Sequence, residues 1–309
     1  MNSAANPARA SDNPAPGSEP VVAHTFQTIV FATDFSLYSE NAGRYARLLA
    51  EQFSATLVVA HAFLLTQPAM EVEAATKINS QQRKNLRLLL ARTVGMLAPE
   101  SIRAIPALLD GNPAHEIARL ARMYEPALVV MGTHGGGSVE RVIIGSVAES
   151  ILRTTDSPAF TVGPHVPPAV PSSVPFRRIL CASDLSAASV KGLALSAQLA
   201  RTSKCELEVL HVVPQNAVHY PDRLAELTEE LYGPLDRLLA ERSIELGRPR
   251  SFVAPGHSSE VILEHVWDHS VDLLVLGINR TSHLGLEMRS SGAFRIIVDA
   301  PCPVITVAS

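Results

Sequence analysis

The chain alternates short apolar runs with longer segments in which apolar residues recur every three or four positions. Thr28 to Ala32 is an apolar run of the kind that forms a buried parallel strand. Leu37 to about Phe53 places Tyr45, Leu48 and Leu49 on one helical face. Thr56 to Ala62 reads as a second strand. Ala69 to Leu97 reads as a long amphipathic helix, with Leu86, Leu89 and Leu90 inside and Arg, Lys and Gln outside. Ile102 to Leu109 reads as a third strand. Asp110-Gly111-Asn112-Pro113 is a turn that opens a helix to about Met123, since proline suits the first helical turn. Ala127 to Met131, a helix from Gly145 to about Thr154, and a strand from Ala159 to Val162 complete this half. Strand–helix alternation predicts an α/β fold: a parallel sheet with right-handed crossovers and helices on both faces.

Gly163 to Pro175 carries five prolines in thirteen residues, which predicts a semi-extended linker. After it the pattern restarts. Ile179-Leu180-Cys181-Ala182-Ser183-Asp184-Leu185-Ser186 matches Ile29 to Ser36 at an offset of 150, as His211 matches His61. Gly256, Gly277 and Pro303 match Gly111, Gly132 and Pro158 at an offset of 145, so the second copy lacks five residues, which we place around the long helix. The expected organisation is a disordered tail over 1–24, a first domain over 25–164, a Pro-rich linker over 165–175 and a second domain over 176–309. Two tandem copies can pack as an internal pseudo-dimer.

Composition narrows the function classes. A formal net charge of −4 and no basic stripe exclude a typical nucleic-acid binder. No apolar run reaches the ~18 residues that a membrane span needs. Met1 to Pro20 lacks the apolar core of a signal peptide. The three cysteines, Cys181, Cys205 and Cys302, form no CxxC and suit reduced, buried thiols. These features point to a cytoplasmic protein.

The candidate chemistry lies where the fourth strand ends. Val129-Val130-Met131-Gly132-Thr133-His134-Gly135 runs from strand into glycine-rich loop, and nine residues later Gly145-Ser146 opens a helix. Glycines let a backbone approach a ligand closely, and a helix start presents unpaired N–H groups with a partial positive charge. Together they suit an anion, most often phosphate. In a doubly wound sheet Asp34, at the end of strand one, faces that loop across the crevice. Its carboxylate can accept bonds from a base amine or ribose hydroxyl, or cap the following helix with Ser36. Neither a Walker lysine nor a GxGxxG fingerprint is present, and no general base is evident, so the site suits holding a nucleotide more than transferring its phosphate. Arg141 lies in the loop and reads as solvated.

These residues resemble those of the universal stress protein family. The likeness rests on Ala32-Thr33-Asp34-Phe35-Ser36, His61, Met131 to Gly135, Gly145-Ser146-Val147-Ala148-Glu149 and Ser157-Pro158. Gly132, Gly135, Gly145 and Ser146 meet that family's G-x2-G-x9-G-[S/T] pattern without a gap. The resemblance implies two tandem doubly wound domains, each a five-stranded parallel sheet, Rossmann-like and akin to the adenine nucleotide alpha hydrolases. It also implies dimeric assembly and ATP in the first copy, with room for Mg2+ on its phosphates; a phosphate cradle without catalytic machinery then suits a stress-response regulatory or sensor role. By the same resemblance Ala32, Thr33, Asp34 and the backbone near Ala62 hold adenine and ribose. Met131, Gly132, Thr133, His134 and Gly135 line the middle, and Gly145, Ser146 and Val147 hold the phosphates. The second copy departs: Arg280 stands for Gly135, Ser290-Ser291-Gly292 for Gly145-Ser146-Val147, and Phe294-Arg295 for Glu149-Ser150. It is expected to bind ATP weakly or not at all.

Other candidates read as structural. His265 and His269 stand four apart without a visible third ligand and are expected on the surface. His61 and His211 read as hydrogen-bonded crevice residues. Two other functions remain open to the sequence: a slow ATPase or nucleotidyl-transfer enzyme, and an interaction protein without ligand.

Overall fold

The structure, a computed structural model, describes residues 25–64, 72–134, 144–169, 176–213, 226, 249–278 and 292–308. The first half consists of β1 (Thr28–Ala32), α1 (Leu37–Phe53), β2 (Thr56–Phe63), α2 (Val72–Leu97), β3 (Ala104–Asp110), α3 (Pro113–Met123), β4 (Ala127–Gly132), α4 (Ser146–Thr154) and β5 (Ala159–Val162). The second half consists of β6 (Arg178–Ala182), α5 (Ala187–Ser203), β7 (Glu206–Val213), β8 (Arg250–Pro255), α6 (Ser258–Asp268), β9 (Leu273–Ile278), α7 (Gly292–Asp299) and β10 (Val304–Ala308).

All ten strands join one sheet in the order β3-β2-β1-β4-β5-β10-β9-β6-β7-β8. Within each half the pairing is parallel. The halves meet at β5 and β10, which pair antiparallel with Ile305 opposite Phe160. Thr161 and Thr306 strengthen that seam, each donating its buried hydroxyl to a backbone carbonyl of the opposite strand at 3.0 and 3.4 Å.

Two cores sandwich the sheet. On one face Ala42, Leu49 and Phe53 of α1, Leu90 of α2 and Leu193 of α5 pack on Ile29, Phe31 and Val209. On the other, α3, α4, α6 and α7 pack Ile117, Ile151, Ile262 and Ile296 on Val30, Val129 and Leu274. The strands carry nearly continuous apolar runs because both faces are covered.

Two expectations are corrected here. Leu89, expected inside, is 42% exposed, because among the described side chains of α2 only Leu90 turns fully onto the core. Cys205 is only partly buried, whereas Cys181 and Cys302 are buried. The first part of the expected linker is packed: Val166 and Ala169 are buried on α1. Asn41 Nδ2 donates to the carbonyls of Val166 and Pro167 at 3.2 and 3.3 Å, and Tyr45 Oη donates to Pro167 at 3.2 Å.

Candidate functional site

Strand order decides where a crevice opens. From β1 the chain crosses to β2 on one side, whereas β4 continues to β5 on the other, so the connections diverge above the paired ends Ala32 and Met131. That is the switch point at which doubly wound sheets take their ligands.

The β1 side is built by a tight polar turn. Thr33 donates its N–H to the Ala60 carbonyl at 2.9 Å, which locks the turn to β2. Thr33 Oγ1 accepts from Phe35 N at 3.0 Å, and Phe35 adopts a positive φ of 63° to make the bend. Ser36 caps α1 by accepting from Ser39 N at 3.3 Å. Asp34 is exposed and supports that cap: its Oδ1 accepts from Ser36 N and Ser36 Oγ at 3.0 and 2.6 Å. Capping therefore falls to Ser36, with Asp34 behind it.

His61, at the end of β2, points its Nδ1 at the Thr33 carbonyl oxygen, 2.8 Å away. A carbonyl can only accept, so Nδ1 carries the proton in this bond. His211 makes the same bond to Ser183 at 2.7 Å in the second half. Both histidines thus hold the turn after the first strand of their half; the sequence suggests a hydrogen-bonded neighbour without naming it. The Phe35 ring packs against His61 with centroids 4.5 Å apart.

The β4 side is pinned from two directions. Thr133 N donates to Val162 O at 3.1 Å, and Gly145 N donates to Thr133 O at 2.7 Å. The second bond draws the start of α4 against the end of β4. Gly145 is the N-cap of α4 and offers no side-chain cap, so the orphan N–H groups of the first turn meet whatever fills the crevice. Thr133 and His134 are both buried, with Thr133 Oγ1 2.8 Å from His134 Nδ1. Gly132 lies close under α1: a Cβ there would lie 3.1 Å from the Tyr38 carbonyl oxygen.

These pieces enclose a cavity of 410 Å³, within the size range of small-ligand sites. Its walls include eleven of the twelve residues expected at the nucleotide: Ala32, Thr33, Asp34, Ala62, Met131, Gly132, Thr133, His134, Gly145, Ser146 and Val147. Gly135 and Arg141 lie outside the described residues, as do Arg280, Ser290 and Ser291. The sequence reading missed Ser39, Ile117 and Ile151, which also line the cavity. Their helical spacing identifies them only as inward-facing. A larger cavity of 630 Å³ lies on the other face, between α1 and α2. Arg44, Arg47 and Arg92 line it, but Gly132 and the start of α4 at Gly145 do not.

The second half is built differently at the equivalent place. A Cβ on Gly277 would lie 2.3 Å from Ser189 N, so the first turn of α5 sits closer to β9 than α1 does to β4. Phe294 is buried where the first half has Glu149. His265 and His269 are not surface residues. Their side chains are 10% and 27% exposed, and both bond the buried Glu208 of β7. The sequence hid this partner because it lies on β7, 57 residues from His265 and 61 from His269. One signal was available: at the repeat offset, Glu208 replaces an apolar residue, Val58.

The universal stress protein family model matches residues 25–163 and 175–308. Universal stress protein MJ0531 of Methanocaldococcus jannaschii is 28% identical over 139 residues, which is 44% of this chain and 82% of that protein. A universal stress protein of Thermus aquaticus, encoded 3′ of a QAH/OAS sulfhydrylase, is 28% identical over 142 residues, 44% of this chain and 98% of that protein. A crystal structure of a universal stress protein from Archaeoglobus fulgidus superposes with a TM-score of 0.68 at 18% identity, covering 91% of this chain and 96% of that one. No described helix is long and apolar enough to cross a membrane.

Proposed function

Given that this chain belongs to the universal stress protein family, we propose that its first repeat is a regulatory receptor for ATP. The second repeat completes an internal pseudo-dimer across the β5–β10 seam. The observation that carries this reading is the convergence of a glycine backbone at Gly132 and an open helix start at Gly145 on one cavity at the switch point. Ala32, Thr33, Asp34 and Ala62 take the adenine and ribose end. Met131 to Gly135 flank the middle, and Gly145, Ser146 and Val147 receive the phosphates.

The described lining contains no lysine or arginine. Phosphate charge is therefore met by backbone N–H groups, the Ser146 hydroxyl and the α4 dipole. The lining offers Asp34 and no cluster of carboxylates, so a Mg2+ ion would be held by the triphosphate itself. Binding without a catalytic base or cationic finger suits a sensor: occupancy favours one conformation or assembly, and partners respond to it. We assign the repeats to residues 25–164 and 176–309 and keep the second as a silent copy. The close approach at Gly277 and Arg280 in place of Gly135 both support its silence.

Calorimetric titration with MgATP tests the reading on wild type and on Gly135→Arg, which copies the second repeat's arginine into the first. One site per chain, lost in the variant, is expected. Two sites would overturn the silent second repeat. No binding would overturn the receptor reading altogether.

A further inference from the structure

The second repeat carries a polar cluster on β7, near the edge of the sheet remote from the β1–β4 crevice. Glu208 is the third residue of β7 and is fully buried. His265 near the end of α6 and His269 just beyond it turn different ring nitrogens onto one carboxylate oxygen. His265 Nε2 and His269 Nδ1 each lie 2.9 Å from Glu208 Oε2. The two imidazoles stack with centroids 3.8 Å apart. Phe252 of β8 stands edge-on to both, at 4.8 and 5.1 Å. The three donor atoms lie within 4.8 Å of one another.

The fold does not require this cluster. In the first repeat, Val58, Leu120 and Tyr124 occupy the matching positions. The registers agree, since Val58 pairs with Ile105 as Glu208 pairs with Arg250. Val58 and Leu120 are core residues there. Exchanging valine for a buried carboxylate is unfavourable unless the charge is matched. The matching present is divided. Arg178 Nε and Arg250 Nη1 approach the other oxygen, Oε1, at 3.6 and 3.4 Å, and Oε1 makes no close hydrogen bond. Arg178 is shared with Glu206 at 2.9 Å, and Arg250 is largely exposed. Oε2 is left to the two imidazoles alone.

We propose that Glu208, His265 and His269 form a binding site for a divalent transition-metal ion of the zinc type, with Oε2, Nε2 and Nδ1 as its three protein ligands. Two imidazoles and one carboxylate suit zinc, whereas magnesium and calcium take oxygen ligands. The arginines beside Oε1 keep the carboxylate one-sided, leaving a single oxygen for the ion. Three protein ligands leave a fourth position for water or an incoming group. At zinc–ligand distances of about 2.0–2.2 Å, tetrahedral donors stand roughly 3.3 Å apart, so each nitrogen moves out from Oε2 by a few tenths of an ångström and the two nitrogens settle at that spacing from within 4.8 Å. The ion arrives past His269, the more exposed of the three.

The test uses full-length, untagged protein stripped with EDTA and titrated calorimetrically with zinc sulfate. One tight site per chain is expected. Cobalt(II) at the same stoichiometry should give the visible absorption of a tetrahedral centre. Glu208→Gln keeps the histidine pair and removes the charged ligand. Its zinc affinity should fall by more than the roughly 10- to 100-fold that loss of an outer-shell partner produces. The triple variant Glu208→Val, His265→Leu, His269→Tyr restores the first repeat's residues and should fold without the site. Absence of stoichiometric zinc uptake overturns the proposal. So does wild-type affinity in Glu208→Gln, which remains informative if the triple variant fails to fold. Because this cluster is remote from the crevice, either result leaves the ATP titration unaffected.

Discussion

A paired substitution, Gly277→Ala against Gly132→Ala, measures how differently the two halves pack their first helix. A Cβ on Gly277 would lie 2.3 Å from Ser189 N and 2.5 Å from Ala188 C and Ser189 Cα. These are backbone atoms, so no side chain can swing aside. Ordinary contact begins near 3.4 Å, and strand and helix must part by about 1 Å to reach it. The start of α5 resists that shift. Ser186 caps it through Ser189 N at 3.3 Å, and Ser183 Oγ donates to Ser189 Oγ at 3.1 Å. Overpacking of this kind places Gly277→Ala at the upper end of about 1–3 kcal/mol. The same methyl on Gly132 meets the Tyr38 and His134 carbonyl oxygens at 3.1 and 3.4 Å, which small adjustments relieve. Its effect should stay under about 1 kcal/mol. Urea unfolding reads the difference through Trp267, the single tryptophan, which is 65% exposed on α6 of the second half. With a slope near 2 kcal/mol per M, the midpoint should fall by about 1 M or more for Gly277→Ala and under about 0.5 M for Gly132→Ala. Equal shifts, or a larger one at Gly132, would refute the reasoning.

Further tests follow from individual contacts. His61→Phe removes the donor to the Thr33 carbonyl. It should lower stability by about 1–3 kcal/mol and weaken ATP binding, as read by thermal melts and calorimetry. Asn41→Ala removes the bonds that seat Val166 to Ala169 on α1 and should hasten proteolytic cleavage of that segment relative to wild type. Burial pushes the Cys181 and Cys302 thiols up to about 12, from 9.0. The folded state then keeps protons that the unfolded chain releases above pH 9, so stability should fall between about pH 9 and 12, by about 1.4 kcal/mol per pH unit for each thiol. Denaturation midpoints measured across that range check the sign. Cys205, only partly buried, should react with thiol reagents first.

The sheet was legible because apolar runs of strand length on both sides of the crossovers mean strands covered on both faces. The repeat was legible because the offset aligns turns and strands together, and the pairing of Val58 with Ile105 and Glu208 with Arg250 follows those offsets. The crevice residues could be read because glycine and helix-start chemistry is local in sequence. Non-local contacts escaped. Leu89 obeys the helical spacing but lines the cavity between α1 and α2. His265 and His269 look like a surface pair until β7 brings Glu208 beneath them. Nothing in the local sequence at Gly277 reveals that α5 comes within contact of it, because matching glycines in two repeats can answer different clearances.

The antiparallel seam between β5 and β10 has a consequence for how the halves diverge. If two separate chains met along such an edge, their association would depend on dilution. Joined by a short tether, the two edges see each other at an effective concentration in the millimolar range, whatever the amount of protein. Pairing then survives sequence drift that would scatter free subunits. The two halves are also released from identity, since one edge need not match a copy of itself. An exchange such as Val58 for Glu208 can settle on one side of the molecule alone. A single chain thereby carries two unlike faces, where a symmetric pair would have to show the same face twice.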